Sequence, residues 1–194
     1  MDFGPAHTPG LTAFKNIYEV KPAHYIVFNK SGIHIERYWK LESKEYKDSF
    51  GKTCSIIKEL LEDSISKQLD SDEPFCTMLS GGLDSSIITA YASNFNKNET
   101  INTFSVDYVD NDKNFIKNDF QPNSDNYYID IMQKKYRTNH NKVVIDTPEL
   151  EQSLEEAMLA RDVPGMADVD SSLLLFCKEI SKKVKIAISR RMCR

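Results

Sequence analysis

The stretch FCTMLSGGLDSS, residues 75–86, constrains this chain more than any other. An apolar run from Phe75 to Leu79 has the length and content of a buried strand. It breaks at Ser80-Gly81-Gly82, and a helix is expected from about Asp84. A strand, a glycine turn carrying hydroxyls and a helix N-terminus together make a cradle for phosphate. Two glycines let the main chain approach an anion closely. The unpaired N–H groups and the dipole of the helix then favour negative charge there. Ser80, Ser85 and Ser86 add hydroxyl donors. The loop is not a Walker A loop, because no Gly-Lys-Ser/Thr comes after it, and it lacks the GxGxxG of a dinucleotide fingerprint. A plain Ser/Gly-rich surface turn is the bland alternative, and the strand–turn–helix order argues against it.

Beyond the turn, strands and helices alternate. Helix 87–94, strand 101–106, a polar loop 108–125, helix 126–137 and strand 143–145 are expected in turn. Thr147-Pro148-Glu149 then reads as a helix start, with Thr147 as the capping hydroxyl. That helix carries Leu150, Leu154 and Met158, and Pro164-Gly165 interrupts it. A further helix over Val169–Ile180 and a strand over Val184–Ile188 complete the pattern. Such alternation implies an α/β fold: a parallel sheet with helices on both faces. Ligands in these sheets sit at the carboxyl ends of the strands. The Ser80–Ser85 turn, Asp107 and Ser189 are expected at such ends. The polar loop contains Asp110 and Asp112 beside Asp107, and it reads as a solvated excursion rather than a calcium site, because it lacks the EF-hand glycine and terminal glutamate.

The region before the turn has another texture. Thr8-Pro9-Gly10 marks a turn, and Tyr25–Phe28 and Ile33–Ile35 are short strands joined by Asn29-Lys30-Ser31-Gly32 as a hairpin. Residues 50–69 place Ile56, Ile57, Leu60, Leu61, Ile65 and Leu69 on one helical face. The expected division is therefore a small β-rich piece over 1–49 and an α/β domain over 50–194.

Composition narrows the function. A net charge of −4 argues against sequence-independent binding of nucleic acid or anionic membrane. The N-terminus does not read as a signal peptide, and no apolar run approaches the ~20 residues that a membrane span needs. Cys54, Cys76, Cys177 and Cys193 are scattered without CxxC spacing, which suggests reduced thiols and a cytoplasmic setting. His7, His24, His34 and His140 are isolated, and none is assigned a catalytic role.

The SGGxDS pattern at Ser80–Ser85 resembles the PP-loop of the ATP pyrophosphatases, enzymes that split ATP into AMP and pyrophosphate. With the flanks in view, the chain resembles glutamine-hydrolysing asparagine synthetase over almost its whole length. GPAHTPG and FKNIYEVKPAHY resemble the last part of that family's class II glutaminase domain, and ERYWKLES the connection beyond it. FCTMLSGGLDSS, INTFSVDY and VKIAIS resemble its nucleotide-binding core. The resemblance implies a PP-loop fold and an AMP-forming carbon–nitrogen ligase. ATP activates the aspartate side-chain carboxylate as an acyl-adenylate and releases pyrophosphate. Ammonia from glutamine then attacks. Carried over by position, Ser80, Gly81, Gly82, Asp84 and Ser85 would hold pyrophosphate. Asp84 would help place Mg²⁺, Leu79 and Val106 would contact adenosine, and Ser189 would begin a second motif, SGExxDE. The resemblance also implies small-molecule substrates, neither nucleic acid nor membrane as partner, and a homodimer in the intact family.

The chain departs from the family in three places. The catalytic N-terminal cysteine of the glutaminase is not matched, nor is the long helical C-terminal region. After Ser189 stands Arg190-Arg191-Met192-Cys193-Arg194 where Gly-Glu-x-x-Asp-Glu is expected. If these five residues are encoded AGG AGA ATG TGC AGA and the next codon is TGA, a shift of one base yields Gly-Glu-Cys-Ala-Asp and then Glu or Asp. The expectation is a fragment with a one-base frameshift after Ser189, which reading the DNA across that point checks. Such a fragment is expected to be inactive alone. The alternatives are a non-catalytic nucleotide-binding remnant and another member of the same amidotransferase fold, such as a β-lactam synthetase-like enzyme.

Overall fold

The computed structural model describes residues 8–96, 99–119, 122–163 and 165–189. Four parallel strands form the main sheet: β3 (Phe75–Met78), β4 (Asn102–Tyr108), β5 (Asn139–Ile145) and β6 (Ile186–Ile188). Their spatial order is β5-β4-β3-β6. From β3 the chain steps outward to β4 and β5, then returns across the sheet to lay β6 on the other side of β3. The direction of winding reverses between β3 and β6, which is where ligands settle in sheets of this kind.

Strand alternation shows why both faces carry helices. On one face Cys76 and Phe104 pack with Phe176, Ile180 and Val184, with Met78 and Val143 against them. Phe176 and Ile180 belong to α7 (Ala167–Ser181). The next residue along β3, Thr77, faces the opposite way and meets Thr89 of α2 (Leu83–Phe95), oxygen to oxygen at 2.9 Å. Helix α2 packs there with α1 (Phe50–Leu69) and α4 (Asp125–Tyr136). The α/β class and the two covered faces agree with the sequence reading.

The hairpin forms as expected, from β1 (His24–Asn29) and β2 (Gly32–Arg37), with Asn29 opposite Gly32. Asn29 Oδ1 accepts the Ser31 N–H at 2.9 Å, and Gly32 takes the left-handed φ of +113° that closes the turn. Helix α1 begins where Ser49 caps it and ends at Leu69, as the periodicity predicts. Its apolar face is less covered than expected: Ile65 is buried, whereas Ile57, Leu60 and Leu61 are exposed.

Five local expectations need correction. The polar loop after β4 contains a short helix, α3 (Asn111–Asn114), which Asp110 enters through a left-handed conformation. Strand β5 begins at Asn139 rather than Val143, because its polar half pairs through both backbone and side chains; Asn139 Nδ2 donates to Asn102 Oδ1 at 2.7 Å. The helix from Thr147 is two helices, α5 (Thr147–Gln152) and α6 (Leu154–Arg161), which meet at Ser153. Its cap is Asp146, not Thr147: Asp146 and Glu149 form a reciprocal capping box. Strand β6 starts at Ile186, and Val184 is a core residue before it. Pro164 and Arg190–Arg194 lie outside the described residues.

Candidate functional site

Strand β3 delivers the chain to the turn under tight control. The Leu79 N–H donates to the Phe104 carbonyl of β4 at 2.7 Å, so the strand stays tied one residue past Met78. Leu79 itself is 1 % exposed and packs as a core side chain. The chain then leaves the sheet at Ser80.

Gly81 turns it. Its φ is +77°, a conformation that other residues adopt at a cost, and a Cβ there would lie 2.7 Å from the Asp125 carbonyl oxygen. Glycine is thus demanded twice, by the backbone angle and by the close approach of α4. Gly82 differs: its φ is −73°, and a Cβ would meet only Ser80 Oγ at 3.5 Å. Gly82 is the N-cap of α2 and makes no side-chain cap bond. The first-turn N–H groups of α2 therefore lack the acceptor that a Ser or Asp cap would supply. This is the donor set that suits an anion.

Ser85, expected as a phosphate donor, is buried and braces the turn. Its Oγ donates to the Gly82 carbonyl at 3.0 Å. A hydroxyl has one proton and two acceptor sites. With its proton on Gly82, Ser85 accepts from the Ser80 N–H at 3.2 Å and meets the Ser80 hydroxyl at 3.1 Å. Ser80 is exposed, on the outer side of this braced loop. Asp84 stands exposed in the first turn of α2.

The other expected residues converge on the same end of the sheet. Thr77 pairs with Ile188, so Ser189 leaves β6 beside the strand that feeds the turn. Val106 lies near the end of β4 and is 38 % exposed, open enough to touch a ligand. Among the described residues no group of three or more His, Cys, Asp or Glu side chains is placed to hold a metal ion. A cation at Asp84 would therefore draw its other ligands from phosphate oxygens and water, which is how Mg²⁺ is commonly held.

Asp107 is the residue whose surroundings the sequence did not reveal. It is 6 % exposed and sits one residue before the end of β4. Its Oδ1 accepts from the Tyr108 N–H at 2.9 Å and Asn111 Nδ2 at 2.7 Å. Its Oδ2 accepts from Asn126 Nδ2 at 3.0 Å and pairs with Lys142 Nζ at 2.6 Å. Burial pushes its pKa up, but the hydrogen bonds from Asn126, Lys142, Tyr108 and Asn111 outweigh that and bring it down to about 2. The one available signal was alternation: Thr103, Ser105 and Asp107 share a buried face of β4. His140 of β5 lies against that face, with Nδ1 2.9 Å from Thr103 Oγ1 and Nε2 3.0 Å from Ser105 Oγ. Burial lowers its pKa, more than the charge of Asp130 raises it.

A parallel sheet with a glycine turn at its switch point, opening onto a helix start with no side-chain cap, defines the class as a doubly wound α/β protein. Residues 56–189 match the family model for asparagine synthase, and the chain belongs to that family. It is 48% identical over 189 residues to asparagine synthetase [glutamine-hydrolyzing] 3 of Bacillus subtilis (strain 168), covering 96% of this chain and 31% of the relative. It is 26% identical over 153 residues to the putative asparagine synthetase [glutamine-hydrolyzing] 2 of Methanocaldococcus jannaschii, covering 78% and 28%. It is also 31% identical over 97 residues to amidase chry2 of Gibberella zeae, covering 46% and 14%. The chain thus spans less than a third of the length of these relatives.

Proposed function

We propose that this chain carries the nucleotide-activating part of a glutamine-hydrolysing asparagine synthetase. The observation that carries this is the Gly81 turn: a left-handed glycine pressed against Asp125, leading into a helix start with no side-chain cap. Ser80, Gly81, Gly82 and the first turn of α2 would bind the pyrophosphate of ATP, with Ser85 bracing them. Asp84 would share a Mg²⁺ with the phosphate oxygens. Val106 and the main chain at Leu79 would contact the adenosine, and Ser189 would begin the second nucleotide-binding motif. When bound, ATP supplies an activated aspartate side-chain carboxylate, and ammonia from glutamine displaces AMP from it. The N–H groups of the turn and of the first turn of α2 would neutralise charge on the leaving pyrophosphate. Small molecules are the partners in this reading, and the cytoplasm is the setting; no helix among the described residues is long and apolar enough to cross a membrane.

The same reading divides the chain between residues 49 and 50. Support comes from the separate two-stranded sheet of β1 and β2 and from Ser49 as the cap that opens α1. A second reading, nucleotide binding without amide synthesis, draws on Arg190 and Arg191, which stand where the resemblance expects Gly-Glu.

Calorimetric titration with ATP and Mg²⁺, together with aspartate-dependent exchange of labelled pyrophosphate into ATP, tests both. Binding with exchange supports the synthetase reading. Binding without exchange supports the second. A folded sample that binds neither ATP nor pyrophosphate refutes both.

A further inference from the structure

The turn at Gly81 owes its shape to what stands beneath it. A Cβ there would lie 2.7 Å from the Asp125 carbonyl oxygen and 3.2 Å from Asp125 Cα, so the first residue of α4 forms the floor of the turn. Helix α4 starts without a side-chain cap at Ser124. Its second residue, Asn126, ties it to the sheet instead. Asn126 Nδ2 donates to Asp107 Oδ2 at 3.0 Å and reaches Asp112 Oδ1 at 3.4 Å. Asp107 is itself fixed by Tyr108, Asn111 and Lys142. A hydrogen bond to a buried, fully engaged carboxylate is a stiff connection, because both its length and its direction are set by the other partners.

We propose that Asp107 and Asn126 are positioning residues for the Ser80–Ser85 turn. Their hydrogen bond holds the start of α4 against Gly81, so the shape of the turn is set from the end of β4, the strand that also carries Val106. The link is mechanical and stands on geometry. Its consequence for pyrophosphate binding rests on the function proposed above.

The test has two readouts, chosen to separate those statements. The first is hydrogen exchange of the amides of residues 80–85 in the ligand-free chain. The second is the affinity for pyrophosphate with Mg²⁺. Asn126 is only half-buried, so Asn126→Ala is expected to fold and to melt near the wild-type temperature. Its turn amides should exchange faster, and pyrophosphate should bind about tenfold more weakly, the scale expected when one coupling contact is removed. Asp107→Asn turns an NH₂ group toward one of the two pairs of donors that converge on Asp107, and Asn126→Asp sets a carboxylate against Asp107. Each single variant should lose protection at the turn. The double variant restores a donor facing an acceptor and should recover protection beyond either single. Unchanged exchange in Asn126→Ala, or a double variant no better than the singles, overturns the proposal. If exchange responds as expected while the wild-type chain binds no pyrophosphate, the link stands and the reading of the turn as a pyrophosphate cradle falls.

Discussion

Replacing Gly81 by alanine isolates the demand that the turn places on one residue. The methyl group brings two penalties. The first is conformational: at φ +77° an L-residue with a Cβ is disfavoured by about 1–2 kcal/mol. The second is steric. The added carbon would sit 2.7 Å from a backbone oxygen, that of Asp125, and no flexible side-chain tip is there to swing aside. Either α4 moves or the turn flattens, and the second term is of similar size, about 1 kcal/mol. Together these give a loss of roughly 2–3 kcal/mol, which for a chain of this size lowers the melting temperature by roughly 5–10 °C. Gly82→Ala is the matched control. Its φ of −73° is ordinary, and its Cβ would make only a van der Waals contact with Ser80 Oγ. It forfeits the N-cap preference for glycine over alanine, about 0.5–1 kcal/mol. Urea denaturation of the two variants, with pyrophosphate titration of each, measures the difference. Gly81→Ala should be less stable than Gly82→Ala by about 1–2.5 kcal/mol, the difference between those sums, and should bind pyrophosphate more weakly. Equal stability and equal binding in the two variants would refute the argument that the left-handed turn and its floor shape the site.

Thr77→Val strands the Thr89 hydroxyl in the core and should destabilise by about 1–3 kcal/mol, whereas adding Thr89→Val should return most of that loss; denaturant titration of the three variants checks it. The pKa of His140 is lowered in the fold from its ordinary 6.5. Its contribution is therefore fully present above about pH 6.5 and is lost as pH falls below that, so His140→Gln should flatten the melting profile between pH 7 and 5. Asp107 is also lowered, from 3.8 to about 2. Its contribution is present above about pH 3.8 and fades as pH falls toward 2, so acid unfolding of Asp107→Asn should depend less steeply on pH in that window. At neutral pH the same substitution should cost about 2–3 kcal/mol, because the Asn126 and Lys142 donors lose their acceptor.

The parts of this molecule that one segment decides were legible in its sequence. Ser49 caps α1, and the apolar spacing from Ile56 to Leu69 gives its extent. The strand–glycine–helix unit at Phe75–Ser86 appears as read, because glycine turns and helix starts are local events. What stayed hidden depends on partners from elsewhere. The polar half of β5 has no apolar alternation to announce a strand; it pairs because β4 offers Asn102, Thr103 and Ser105 across the ladder. Asp107 is legible as an acid at the end of β4, but its burial is not. It is buried because Asn111, Asn126 and Lys142, from three separate elements, converge on it. The exposed face of α1 is the opposite case, since periodicity states which residues share a face but not whether anything covers it.

The same distinction applies inside the turn. SGGLDS announces a place where an anion can approach, yet its shape is a tertiary property. Leu79 is tied to Phe104 of β4, Gly81 rests on Asp125 of α4, and Ser85 closes the loop on Ser80 and Gly82. Only the last of these contacts lies within the motif. The first two bring in the strand that carries Val106 and Asp107 and the helix that Asn126 anchors. A turn assembled this way is preorganised by the sheet, so under the proposed function its donors would need no reorganisation when charge develops beside them. That arrangement gives the two glycines different duties: Gly81 lets α4 come close, and Gly82 leaves the α2 amides without a side-chain cap.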